Sequence, residues 1–126
     1  MQGHLPPAAQ EQYQKMQELQ ARAKQIVARK QDLERQLGES KTSLQALDDI
    51  DAGTPMYRSL GSIRVEADYE ETNADLEATV ERLEARIEEL DEEKEHLEAQ
   101  FERCKEDIQH LLGGPTGGPN SPGTGE

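Results

Sequence analysis

Asp51-Ala52-Gly53-Thr54-Pro55-Met56-Tyr57-Arg58-Ser59-Leu60-Gly61-Ser62-Ile63-Arg64-Val65-Glu66-Ala67 is the stretch on which the fold turns. Gly53 and Pro55 end whatever helix precedes them, because neither residue sustains an α-helical interior. Two five-residue runs with alternating side chains follow, separated by Gly61-Ser62, and this pattern predicts two short strands joined by a two-residue turn. Glycine at the first central position suits a II′ hairpin. In that register Leu60 faces Ile63, Arg58 faces Val65 and Met56 faces Ala67. One face is then mostly apolar, while Tyr57, Ser59, Arg64 and Glu66 lie on the other.

On each side of this segment the period changes from two to three and a half. Downstream, Leu76, Val80, Leu83, Ile87, Leu90, Lys94, Leu97, Phe101, Cys104, Ile108 and Leu111 alternate gaps of four and three. Upstream, Ala9, Gln12, Met16, Leu19, Ala23, Ile26, Lys30, Leu33, Leu37, Ser40, Leu44 and Leu47 do the same, with polar breaks at Gln12, Lys30 and Ser40. Both are heptad seams, and an apolar seam needs a partner helix. The expected elements are a helix over about 8–50, a hairpin over about 55–67 and a helix over about 70–112. Pro6-Pro7 can open the first helix, where a missing N–H costs nothing. Asp68 with Glu71, or Thr72 with Asp75, can cap the second. Gly113-Gly114-Pro115 stops it, and the Gly/Pro-rich tail 113–126 reads as disordered.

Two helices of about 43 residues, each about 65 Å long, joined by a tight hairpin must run antiparallel. The expected fold class is therefore mainly α: a long antiparallel two-helix coiled coil with a single central β-hairpin. Charge agrees with this. The flanking positions place Lys15 near Asp107, Arg29 near Glu93, and Lys41 near Glu77 or Glu84, each pair contributing tenths of a kcal/mol (~0.3). Lys30 and Lys94 occupy core positions of the two seams. They read as snorkelling lysines whose stems cover the seam, or else as a soft point where the arms flex.

Composition narrows the function. The chain has 126 residues, no Trp and one Phe, and a net charge of −13. Residues 8–50 are balanced, with seven basic and seven acidic side chains, whereas residues 66–112 carry five basic and eighteen acidic. Such a surface repels phosphates, which counts against nucleic acid and anionic membrane as partners. The acid excess reads as a solvated helix face or as a halophile's adaptation to a salt-rich cytoplasm, where charge is screened. Cys104 is the lone cysteine, a small buried hydrophobe in keeping with a reducing cytoplasm. Met1–Leu5 lacks the character of a signal peptide. No apolar run reaches the ~18 residues of a membrane span.

No catalytic constellation is present. His4, His96 and His110 have no ligand spacing, and the carboxylates follow helical surface positions without a pocket. The expectation is no enzyme, no metal and no cofactor. Two apolar groups remain unaccounted for by a single chain. A two-stranded hairpin is marginal alone, and its apolar face (Met56, Leu60, Ile63, Val65) and free edges invite oligomerisation. The helix ends far from the hairpin carry Leu5, Tyr13, Met16, Ile108, Leu111 and Leu112, which fraying would expose to other apolar chains.

In these features residues 5–112 resemble the beta-type subunits of archaeal prefoldins. The resemblance rests on the helix–hairpin–helix order, equal heptad arms, the Pro-Pro opening before a Gln-rich helix, and the stretch Pro55–Val65 with its Tyr-basic-x-apolar-Gly pattern. It implies a hexamer of two alpha and four beta subunits, assembled through their hairpins into a double β-barrel platform. Non-native proteins would be held at the distal coil ends and passed to a group II chaperonin, without ATP use by the subunit. Met56, Tyr57, Leu60, Ile63 and Val65 would then build the platform, and Tyr13, Met16, Ile108, Leu111 and Leu112, with Leu5, the client-binding tip. The linker has room for one hairpin, unlike the alpha type, and the acidity departs from an average member. The competing reading is a structural coiled-coil scaffold that binds no clients.

Overall fold

A computed structural model describes residues 5–113. It contains α1 (Pro7–Asp48), β1 (Met56–Leu60), β2 (Ile63–Ala67) and α2 (Tyr69–Leu111). The fold is mainly helical, with one antiparallel hairpin, as the sequence predicts; the observed bounds differ from the expected ones by one or two residues. The tail expected to be disordered lies, from residue 114 on, outside the described residues.

Each helix boundary has a local cause. Pro7 takes the first helical position, and Pro6 accepts the first helical bond from the Gln10 amide at 3.0 Å. At the other end of α1, two short i→i+3 bonds tighten the chain, Asp49 N–H to Ala46 at 3.2 Å and Ile50 N–H to Leu47 at 3.3 Å. That tightening explains why the helix stops two residues before the expected boundary. At α2, the Asp68 carboxylate accepts the Glu71 amide at 2.9 Å, which makes Asp68 the N-cap. Glu70 and Glu71 in that first turn also complement the helix dipole. Gly113, with φ of 77°, closes α2 in the left-handed conformation that glycine adopts without penalty.

The chain divides into two compact units: Met1–Ala28 with Asp91–Glu126, and Arg29–Leu90. In the Arg29–Leu90 unit, Leu33 and Leu47 of α1 and Leu83 and Leu90 of α2 form the buried core. The helix segments run antiparallel, since Lys41 meets Glu84 at 3.4 Å while Leu47 meets Tyr69. Lys41–Glu84 is one of the two alternatives expected from the charge pattern. The hairpin has the predicted register, with Leu60 opposite Ile63, Arg58 opposite Val65 and Met56 opposite Ala67. Gly61 turns the chain at φ 60°, the sign a primed turn requires at its first central residue.

In the other unit, Ala9, Leu19 and Ile26 of α1 and Leu97, Cys104 and Ile108 of α2 are buried. Here too the segments are antiparallel. Leu19 shares a groove with Leu97 and Phe101, and Gln12 a cleft with Cys104 and Asp107. Glu93 pairs with Arg22 at 3.4 Å rather than with the expected Arg29, one heptad away; a guanidinium on a long stem reaches a diagonal neighbour. Lys15 and Asp107 line one cleft, as expected, without closing an ion pair.

The two rows of the seam differ. The d row is buried at Leu19, Ile26, Leu33, Leu47, Leu83, Leu90, Leu97 and Cys104. The a row, Met16, Ala23, Lys30, Leu37 and Leu44 on α1 and Val80, Ile87, Lys94 and Phe101 on α2, is only half-buried. Ala9 and Ile108, near the helix ends, are the fully buried members of that row.

Candidate functional site: exposed apolar groups at the hairpin and the helix ends

In the hairpin, side chains alternate between two faces with period two. Leu60 and Ile63, paired beside the turn, are 49% and 59% exposed, and Tyr57 on the other face is 65% exposed. Met56 and Val65 are half-buried. Three large apolar side chains on ten strand residues is more than a stable two-stranded sheet would leave to water, and both its edges carry unpaired backbone groups. The hairpin is nevertheless well anchored. The Tyr69 hydroxyl donates to the Leu47 carbonyl at 2.8 Å, tying the start of α2 to the end of α1. The Leu47 carbonyl thus accepts a second, shorter bond beside the 3.3 Å one from the Ile50 amide. Sequence reading missed the tie, because Tyr69 lies outside both seams and its partner is a backbone atom.

At the helix ends, Leu111 and Leu112 are exposed, the latter by 49%, as is Tyr13, while Leu5 and Met16 are half-buried. Ile108 differs from the expectation that fraying exposes it. It is 5% exposed, held in the seam one turn inside the terminus, with its carbonyl accepting the Leu112 amide at 2.9 Å. The exposed group is thus Tyr13, outside the α1 seam, with Leu111, the last seam position of α2, and Leu112 beyond it.

The flanks between the helix segments of this unit contrast. One is polar, a cleft lined by Gln12, Lys15, Gln100, Arg103, Cys104 and Asp107. Gln12 Oε1 is buried there without a hydrogen-bond partner. The other is an apolar groove of about 370 Å³, floored by Leu19, Ala23, Leu97 and Phe101 with Gln20, Glu98 and Glu102 on its rim. The groove was not foreseen: the heptad pattern places Ala23 and Phe101 in the seam and says nothing of how deeply.

Among the described residues no group of three or more His, Cys, Asp and Glu could hold a metal ion. His96 lies 3.4 Å from the Gln100 amide on an exposed face. No helix among the described residues is long and apolar enough to cross a membrane.

The profile of the family "Prefoldin subunit" matches residues 10–114, which spans both helices and the hairpin. The chain belongs to the prefoldin subunit family. Among its relatives is the prefoldin subunit beta of Halobacterium salinarum, 45% identical over 73 residues, or 58% of each chain. The prefoldin subunit beta of Archaeoglobus fulgidus is 29% identical over 110 residues, 87% of this chain and 95% of the relative. The match thus spans 58% of the length of the first relative and nearly all of the second. A solved prefoldin beta subunit from Thermococcus strain KS-1 has the same fold, with a TM-score of 0.79 at 23% identity, covering 90% of this chain and all of that one. The archaeal beta-type resemblance read from Pro55–Val65 and the equal arms agrees with these relatives.

Proposed function

We propose that the chain is a subunit of an ATP-independent molecular chaperone, assembling through its hairpin and holding non-native proteins at its helix ends. The observation that carries this reading is the exposure of large apolar side chains at both places, Tyr57, Leu60 and Ile63 in the hairpin and Tyr13, Leu111 and Leu112 at the ends, while Leu19, Ile26, Leu33, Leu47, Leu83, Leu90, Leu97 and Cys104 of the seam are buried. A scaffold without clients would seal its seam to the ends and would need no β segment at the bend.

In this proposal Met56, Tyr57, Leu60, Ile63 and Val65 form the platform with prefoldin alpha and further beta subunits, two alpha and four beta in all. Unfolded proteins bound at Leu5, Tyr13, Met16, Leu111 and Leu112 pass to a group II chaperonin in the cytoplasm. Ile108 joins the client surface only when the last layer opens. The acid excess, 27 Asp and Glu against 14 Lys and Arg, fits the salt-rich cytoplasm of a halophilic archaeon, since like charges along α2 repel less when screened. The halophilic source of the relative from Halobacterium salinarum supports that assignment.

The test is suppression of aggregation of a denatured model protein, by the chain alone and with an alpha-type partner, in low and molar salt. Suppression at stoichiometric excess is expected. None under any of these conditions would overturn the chaperone reading and favour the scaffold.

A further inference from the structure

The apolar groove in the Met1–Ala28/Asp91–Glu126 unit is a consequence of size mismatch in the half-buried a row. Ala23 on α1 and Phe101 on α2 both line it, and the small side chain leaves open the space that a larger one would fill beside the ring. The floor is Leu19, Ala23, Leu97 and Phe101, entirely apolar. Its volume is about 370 Å³, and an apolar floor of this kind holds water poorly. The rim is different: Gln20, Glu98 and Glu102 are all exposed, and no basic residue lines the groove.

Glu98 and Glu102 have lysine neighbours, Lys94 at 3.7 Å and Lys105 at 3.8 Å. Both contacts are long, both pairs are exposed, and such pairs contribute ~0.5 kcal/mol or less, so an incoming cation competes with them readily. The surroundings remain acidic: residues 91–112 carry eight acidic side chains and three basic.

We propose that this groove binds cationic amphipathic segments of non-native chains: one or two large apolar side chains on Phe101 and Leu97, flanked by Lys or Arg that meet Glu98 and Glu102. The inference rests on the client-binding reading and deepens it, giving a chaperone of this kind a preference among clients. Apolar burial supplies the affinity, and the rim supplies the selection against acidic segments, whose charges would meet like charges.

The test uses the full chain and fluorescein-labelled synthetic peptides of twelve residues, read by anisotropy. One carries a Leu/Phe centre with Lys flanks, one the same centre with Glu flanks, and one Lys flanks around a Gly/Ser centre. The Lys-flanked apolar peptide is expected to bind at least tenfold more tightly than the Glu-flanked one at 0.1 M salt. The preference should shrink at 1 M, where the Debye length falls from about 10 to about 3 Å. The Gly/Ser peptide should not bind measurably.

The variant Ala23→Arg, at a half-exposed position, should fill the groove and lower affinity tenfold or more; circular dichroism verifies that it folds. The variant Glu98→Gln/Glu102→Gln should keep apolar binding but bring the two apolar peptides to within threefold of each other. Equal binding of both apolar peptides to the unaltered chain, or an unchanged preference in Glu98→Gln/Glu102→Gln, overturns the proposal. So does unchanged affinity in a folded Ala23→Arg chain. Aggregation suppression that persists without the peptide preference sinks the groove and leaves the chaperone reading standing. Peptide preference without any suppression does the reverse.

Discussion

The hairpin and the helix ends expose the same kind of large apolar side chain, leucine and tyrosine in both places and isoleucine in the hairpin, on backbones of opposite character. Leu60 and Ile63 sit opposite each other in a fixed antiparallel register. Gly61 sets the turn, Asp68 caps the helix that follows, and Tyr69 ties that helix to α1. Leu111 ends α2 and Leu112 follows it, where the bond from Gly113 to His110 is the final backbone constraint described. A surface whose positions are fixed suits one complementary partner, because little order must be gained on binding. A surface on a helix terminus, where intrahelical bonds run out, can adjust to many partners. The same apolar chemistry therefore fits assembly in one place and promiscuous holding in the other, and backbone constraint separates the two.

The largest effect that could break this contrast comes from the cores beneath the exposed groups. Leu83 is the most deeply buried large side chain, and Leu83→Ala should cost about 3 kcal/mol, as cavity-forming leucine truncations do. Leu112→Ala should cost less than about 0.5 kcal/mol, as surface substitutions do. Urea denaturation compares the two directly. Similar losses would mean that Leu112 is packed in solution, and the helix end would no longer be a free surface.

Next in size is Leu60→Asp, which places a carboxylate on the hairpin's apolar face. Its affinity for partner subunits should fall at least 100-fold, while the helical circular dichroism stays the same. An unchanged sedimentation profile at micromolar concentration would remove the hairpin from the assembly surface. The matching change at the other site, Leu111→Ser/Leu112→Ser, should leave the sedimentation profile intact and lower aggregation suppression several-fold. If it disrupts assembly instead, the division of labour between the two surfaces is wrong.

How much of this was legible in the sequence follows the same line between fixed and adjustable backbone. The hairpin register could be read because a slip of one residue would exchange its two faces, and Gly61-Ser62 allows a two-residue turn there. The helix ends could be read from Pro7, Asp68 and Gly113, each of which acts on its nearest neighbours. The depth of each seam position could not. A heptad identifies a stripe but not how the two helices are rotated about their axes, and that rotation buries Leu97 and Cys104 while leaving Phe101 half-exposed. The exchange of Arg29 for Arg22 opposite Glu93 has a related cause, since long side chains reach across a layer. Ile108 stays buried because its side chain lies inside the last seam layer, where proximity to the terminus in sequence does not amount to exposure.

A smaller effect tests whether the hairpin's rigidity depends on the tie behind it. Tyr69→Phe removes only the hydroxyl and leaves the Leu47 carbonyl, at the end of α1, without that donor. The loss should be about 1 kcal/mol, the ordinary contribution of one such bond, with faster amide exchange at Tyr69–Thr72 and unchanged exchange at residues 100–108. Uniform exchange changes along the chain would show that the tie is not local and that the hairpin is no more constrained than the helix ends.

The smallest expected effect concerns acid. On α1, the Asp32 carboxylate is held below its ordinary value of 3.8, chiefly by the hydrogen bond from Arg35, against a smaller opposing effect of burial and with help from Gln36. The Arg35 guanidinium, raised in turn by that same bond, also reaches Glu39 at 3.2 Å. A carboxyl whose value is lower in the folded chain than in the unfolded one binds fewer protons when folded. Its contribution to stability is therefore complete above the ordinary carboxylate value and is lost as pH falls below 3.8 through the lowered one. Arg35→Met should remove this contribution, so stability in urea should fall less steeply between pH 4 and pH 2 in the variant than in the unaltered chain, with equal slopes above pH 5. Because Asp32, Arg35, Gln36 and Glu39 all belong to the Arg29–Leu90 unit, the change should register in amide exchange on that part of α1 and leave Leu111 and Leu112 as they were. Parallel curves for the two proteins would show that the Asp32–Arg35 contact is as loose as the exposed leucines of the helix end, and that side-chain order does not follow the backbone contrast between the two sites.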